Sequence, residues 1–244
     1  MVESLWPTLG ASQTLIANIV VLFGATVQAS VGFGFALIAV PLLMLLDTAY
    51  APGPTLLASL LLAAIMTRRG RHEIDSSQLF TGSSGLLIGA AAGALMLPMI
   101  PTRQLPIFFG GVILLAVGLS VIGLKVTVTS ANLFGVAAAA GVMGTMAGIH
   151  GPPLALLYQR EAADKVRAML AVFFLIGYSV SLLALAGAHL FRIRELAMGC
   201  SLMPGVFIGY VLSRLLSGVL SGISLRGPIL FVAGLSAVAL LFKG

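Results

Sequence analysis

"QASVGFGFALIAVPLL", residues 28–43, begins with polar Gln28 and Ser30, passes Gly32-Phe33-Gly34-Phe35 and runs apolar into Pro41. In a water-soluble chain it would read as a strand or a nucleotide loop. Here it sits inside an apolar block that covers 14–46. As one helix that block would be about 50 Å long, too much for a single crossing of a roughly 30 Å hydrocarbon core. The block must therefore break. Gly32 and Gly34 are where the backbone turns most cheaply, so two limbs join there and the chain enters and leaves on one side.

The rest of the chain has the same solvent. Of 244 residues, 59% are hydrophobic and only 8% charged, against roughly 25% charged in an ordinary soluble domain. Further apolar blocks lie at 54–67, 79–100, 105–124, 131–158, 168–190, 196–220 and 228–242, which leaves little chain for a soluble domain. Without the period-2 alternation of a barrel they must be helices, since hydrocarbon offers no partner to a free backbone group. The fold class is an all-α polytopic membrane protein. "MVESLWPTLGASQ" carries Glu3 and no Lys or Arg ahead of the first block, unlike a cleaved signal peptide, so that block is expected to remain. Cys200, the single cysteine, excludes an internal disulfide or a Cys-based metal cluster and is expected as a small core residue. The formal charge of +6 lies between the blocks and forms no face, which marks topology and not a nucleic-acid partner. There is no GxxxxGK[ST], no HExxH and no carboxylate pair within a block, so direct ATP use, metal and cofactor are not expected.

Block 131–158 repeats the plan of the first, with "GTMAGIHGPP" at 144–153 as its break and Pro152 and Pro153 each removing a backbone donor. At a shift of 116 residues Gly32, Gly89, Gly93, Gly111 and Gly118 fall on Gly148, Gly205, Gly209, Gly227 and Gly234. Residues 1–125 and 126–244 then form two repeats of one integrated membrane domain, each with one broken or re-entrant hairpin and three crossings. Three is odd, so the repeats are inverted, a plan typical of secondary transporters. Loop charge agrees. With two hairpins and six crossings, Arg68, Arg69, Arg71, Lys125, Arg160, Lys165, Arg167, Arg214 and Arg226 share one side and only Arg103, Arg192, Arg194 and Lys243 the other. The richer side is cytoplasmic, which puts both termini outside. Gly85, Gly89 and Gly93, like Gly205 and Gly209, share one helix face, the pattern of close packing.

Two hairpins entering from opposite faces bring their tips together near the midplane, where each second limb begins. A helix N-terminus with unpaired N–H groups attracts an anion without a buried cation. The candidate substrate-binding residues are Gln28, Ser30, Gly32, Gly34, Gly148, His150 and Gly151. Thr55 and Ser59 share a helix face at i and i+4 and either line the path or bond back to their own helix. Tyr178 and Ser181 are similar candidates, and Arg167 draws anions inward or anchors the cytoplasmic end. His150 is the one titratable group at a tip and the proton-coupling candidate, able to carry a proton or hydrogen-bond an anion, the alternative being a neutral histidine bonded to a carbonyl; His72 and His189 fall in or near loops.

"VGFGFALIAVPLL" at 31–43, its counterpart "MAGIHGPPLALLY" at 146–158, "LLIGAAAGALM" at 86–96 and the run "RAMLAVFF" from Arg167 resemble the TauE/SafE family of sulfite and organosulfonate exporters over essentially the whole chain. The resemblance implies a carrier in the bacterial inner membrane that moves a small sulfur-containing or carboxylated anion, usually outward. Sulfite, an organosulfonate such as sulfoacetate, and a related carboxylate all suit it. The chain departs from the family in its shorter glycine run at Gly32-Phe33-Gly34 and in His150, which bears on substrate more than on fold. The expected partners are the lipid bilayer and a small anion, with coupled protons; a homodimer is left open. Three rival readings are an intramembrane serine protease using Ser84 of "GSSG" (82–85) with His150 or His189 as base, an anion channel and a structural membrane subunit.

Overall fold

The computed structural model describes residues 10–68, 74–123, 126–216 and 226–243. Glu3, Arg69, Arg71, His72 and Lys125 lie outside the described residues. Among those described, every regular element is a helix. The first half holds α1 (Ala11–Val31), α2 (Phe35–Leu46), α3 (Gly53–Thr67), α4 (Ser76–Met96) and α5 (Leu105–Ile122). The second holds α6 (Ser130–Ala147), α7 (Gly151–Tyr158), α8 (Ala163–Gly187), α9 (Ile193–Ser201), α10 (Met203–Leu215) and α11 (Arg226–Leu241). Among the described residues six stretches are long and apolar enough to cross a membrane: Ala11–Val31, Ser76–Met99, Thr102–Ile122, Ser130–Ala147, Ala163–Gly187 and Ile193–Leu215. The chain is a multi-pass membrane protein. α3 and α11, read from sequence as crossings, have 15 and 16 residues and so reach about 22–24 Å, short of the hydrocarbon thickness.

Both breaks fall where the glycines put them, 116 residues apart. α1 stops at Val31 and α6 at Ala147; α2 starts at Phe35 and α7 at Gly151. Gly32 (φ 102°) and Gly148 (φ 77°) end their helices in the left-handed region, and each donates its N–H to the carbonyl four residues back, Gln28 or Gly144, at 2.7 Å. An L side chain at such a backbone costs roughly 1–2 kcal/mol, so glycine belongs there. Gly34 adds a second positive φ of 121°.

The helix pairings have the same form in both halves. α4 packs on α6 and α10 on α1; α3 pairs with α8 and α5 with α11; α2 touches α11 and α5 touches α7. Small residues make the first two contacts close. A Cβ on Gly85 would lie 2.5 Å from the Phe134 carbonyl oxygen, and one on Gly89 2.0 Å from that of Ala138. On the other side Gly205 meets the Asn18 oxygen at 2.5 Å and Gly209 that of Leu22 at 2.4 Å. Gly205 and Gly209 thus make the contacts of Gly85 and Gly89, one helical turn away from the 116-residue register. Asn18 staples this second contact, donating to the Ser201 carbonyl at 2.9 Å and accepting from the Gly205 N–H at 2.9 Å.

The two broken pairs open toward opposite ends of α8. Asn18 of α1 bonds Ser201 beside α10, and Gly53, just past α2, lies against Phe191, which follows the C-terminal end of α8. Tyr158, the last residue of α7, donates its hydroxyl to Gln78 near the start of α4 at 2.5 Å, and Ala163 begins α8 close behind it. Lys243 closes the far end of α2 by donating to the Met44 and Leu45 carbonyls at 3.1 and 2.9 Å, a cation on the negative end of a helix. Cys200, expected in the core, is exposed. It sits next to buried Gly199 on α9, but Gly199 is the position that meets Leu57 and Pro54 of α3, so the following side chain turns outward.

Candidate functional site

The site grows out of the residues on either side of the two breaks. Gln28, one turn before Gly32, is buried, and its side-chain carbonyl accepts the Phe35 N–H at 3.2 Å. That bond occupies one of the N–H groups free at the start of α2 and fixes the amide so that Nε2 points away from the backbone. Nε2 has no hydrogen-bond partner.

His150 precedes α7 and is also fully buried. Its ring lies in a slot made of absent side chains: a Cβ on Gly144 would sit 2.0 Å from Cε1, and one on Gly177 2.8 Å from Cδ2. The ring stands nearly perpendicular to Tyr178, centroids 4.8 Å apart. His150 Nε2 lies 3.2 Å from the Ser181 hydroxyl, which lies 2.6 Å from the Thr145 hydroxyl. The Gly177 backbone also hydrogen-bonds the ring, while Nδ1 has no partner. The Tyr178 hydroxyl sits beside Ser59 and Gln28. One buried cluster therefore joins Gln28 of α1, Ser59 of α3, Thr145 of α6, His150, and Tyr178 and Ser181 of α8.

Among the described residues three buried side-chain N or O atoms lack a hydrogen-bond partner: Gln28 Nε2, His150 Nδ1 and the Tyr50 hydroxyl. Two of the three flank Tyr178. Leaving a buried polar group unpaired costs about 1–3 kcal/mol, and Gln28 and His150 both lie against Tyr178.

Other candidates are placed differently. Ser30 donates to the Thr26 carbonyl at 2.7 Å, Thr55 to Pro52 at 2.8 Å and Ser59 to Thr55 at 2.7 Å, so all three hydroxyl protons go back to their own helix region. Thr55 packs against Gly148, and Phe33 lies beside Gly151, which brings the two breaks next to each other. The start of α7 offers few donors, because Pro152 and Pro153 directly follow Gly151; side chains supply most of the polar groups. Arg167 lays its stem over Gly32 and pairs with exposed Asp164, beside the first break and outside the cluster. Ser84 donates to the Thr81 carbonyl at 2.9 Å, and of the two histidines named with it, His150 lies against Ser181 instead. Thr145 and the slot glycines Gly144 and Gly177 were not singled out from sequence, although "GTMAG" did carry two of them.

A pocket of about 300 Å³ opens next to the first break, lined by Val31, Phe33, Ser120, Pro152, Leu156 and Glu161 among others.

Residues 17–240 match the family described as Sulfite exporter TauE/SafE. No curated protein and no solved structure matches the chain.

Proposed function

Because the chain belongs to the sulfite exporter TauE/SafE family, we propose that it is a secondary transporter exporting a small anion by alternating access across a bacterial inner membrane. Sulfite, an organosulfonate such as sulfoacetate, and a related carboxylate are its substrate class. The observation that carries this reading is the pair of unpartnered buried atoms, Gln28 Nε2 and His150 Nδ1, on either side of Tyr178 where the two helix breaks meet. Oxyanion oxygens are the acceptors that the Gln28 amide lacks.

The rest of the molecule supports the same reading. Residues 1–125 and 126–244 act as two inverted repeats, each with a re-entrant pair, α1–α2 or α6–α7. The exchange-related helix pairings and the opening of the two pairs toward opposite ends of α8 support that arrangement. Arg160, Lys165, Arg167 and Arg214 mark the cytoplasmic side, both termini lie outside, and the pocket beside Phe33 is the approach from the cytoplasm. Gln28, Ser59, His150 and Tyr178 contact the anion, while Gly32, Gly34, Gly148 and Gly151 shape the backbone around it. The membrane potential or a proton gradient drives export.

The test is charge movement from proteoliposomes on a solid-supported membrane, with jumps of sulfite, sulfoacetate, taurine and acetate, with and without a pH gradient. A saturable response that shows counterflow and weakens in Gln28→Ala and His150→Ala is expected. Flux that does not saturate would make the protein a channel, and no response or binding with any of these anions would refute the transport reading.

A further inference from the structure

We propose that the site accepts its ligand only as a monoanion, so that sulfite crosses as bisulfite and brings its own proton. The inference rests on the transport reading above and adds the charge state of the substrate. It follows from what the cluster contains. Its groups are the Gln28 amide, the Ser59, Thr145, Tyr178 and Ser181 hydroxyls and the His150 ring, with Leu86 of α4 against Gly177 behind the ring. The titratable members are His150 and the Tyr178 phenol; α1, α3, α4 and α6 bring no charged side chain to it. Arg167 rests its stem on Gly32 at the first break and turns its guanidinium to exposed Asp164, away from the cluster.

The desolvation cost of an ion rises with the square of its charge, whereas its attraction to fixed neutral dipoles rises only in proportion. Uncharged donors can hold one negative charge, as the Gln28 amide and the Tyr178 hydroxyl are placed to do. A dianion would cost about four times the desolvation of a monoanion for only twice the attraction. Without a cation in the cluster the dianion stays in water.

The test compares three small tetrahedral or pyramidal oxyanions against the intact protein in proteoliposomes, by binding-induced charge displacement at several pH values on both sides of the second deprotonation of sulfite. Methanesulfonate keeps one negative charge throughout and sulfate keeps two. We expect methanesulfonate to bind with an affinity that does not change with pH and sulfate to give no saturable signal. Sulfite should lose about tenfold in apparent affinity per pH unit above its deprotonation, following the bisulfite fraction. Sulfate binding as well as methanesulfonate, or sulfite holding its affinity through the deprotonation, would overturn the proposal while leaving the transporter reading intact. The same pH slope for methanesulfonate and sulfite would also overturn it, because the titrating group would then be on the protein. If none of the three binds, the transport reading fails for this ligand class and the proposal falls with it.

Discussion

Replacing Gly144 by alanine drives a methyl group into the His150 ring. The new Cβ would stand 2.0 Å from Cε1 and 2.2 Å from both ring nitrogens, far inside the distance at which carbon atoms come to rest. The ring has little room to retreat, because the Gly177 backbone lies on its Cδ2 side, where a Cβ would already come within 2.8 Å, and Tyr178 packs against it. It must move by more than an ångström, and that breaks the 3.2 Å contact of Nε2 with Ser181. Overpacking of this kind costs about 1–3 kcal/mol, and an orphaned buried nitrogen adds about 1–3 kcal/mol. Against these, alanine gains about 1 kcal/mol of helix propensity over glycine. The clash wins, with a net loss of about 1–5 kcal/mol. Gly111→Ala is the matched control, since Gly111 is helical and has nothing within 4 Å of its would-be Cβ, so it keeps the propensity gain alone. The assay is thermal unfolding of the purified protein in detergent, with and without sulfite. Gly144→Ala should lower the midpoint by several degrees and abolish the stabilisation by ligand, while Gly111→Ala should do neither. A Gly144→Ala protein that unfolds like wild type and still responds to sulfite would refute the slot and with it the placement of His150.

Gln28→Leu removes the Phe35 cap and the Nε2 donor together; the cap is worth about 1 kcal/mol and a hydrogen bond to an anion about 1.5–3 kcal/mol. Ligand affinity measured by titration should therefore fall roughly tenfold to a hundredfold with only a small drop in thermal midpoint. Gly123 and Gly148 both have positive φ, so alanine at either should cost about 1–2 kcal/mol. Only at Gly148 does the new Cβ also meet Thr55 Oγ1 at 3.2 Å and Val40 at 3.3 Å, so Gly148→Ala should be the worse of the two by unfolding, and Thr55→Ala should partly rescue it. Asp75 caps α4 by accepting from the Ser77 N–H, and its hydrogen bond from the Ser77 side chain, helped by those from the Ser77 N–H and Gln78 and by Lys165, holds its carboxyl below the usual carboxylate range. A lowered folded value stabilises above the ordinary carboxylate range, and the contribution fades as pH falls through it. Acid titration of stability should show that loss in wild type and not in Asp75→Asn.

Gly32 and Gly148 were legible from sequence because a left-handed helix end is a local property. It depends on one missing Cβ and on the excess length of the apolar block, both of which are written in the chain. The membrane environment was legible for a related reason: hydrocarbon permits few backbone solutions, so composition alone narrows them to helices. The partnerships inside the site were not. Nothing in the sequence joins His150 to Ser181 and Thr145, puts Tyr178 beside Gln28, or reserves Gly144 as room for an imidazole. The helices are apolar on nearly every side, so no hydrophobic stripe reports which face turns inward. That rotation is set where small residues let backbones touch, at Gly89 on Ala138 and Gly209 on Leu22. The second of these contacts slipped one turn from the repeat that the glycines suggested. Cys200 turned outward for the same reason. Sequence determined where the chain bends, and only the packing of one half against the other decided which polar groups meet at the bend, because helix rotation is a property of the contact and not of either helix alone.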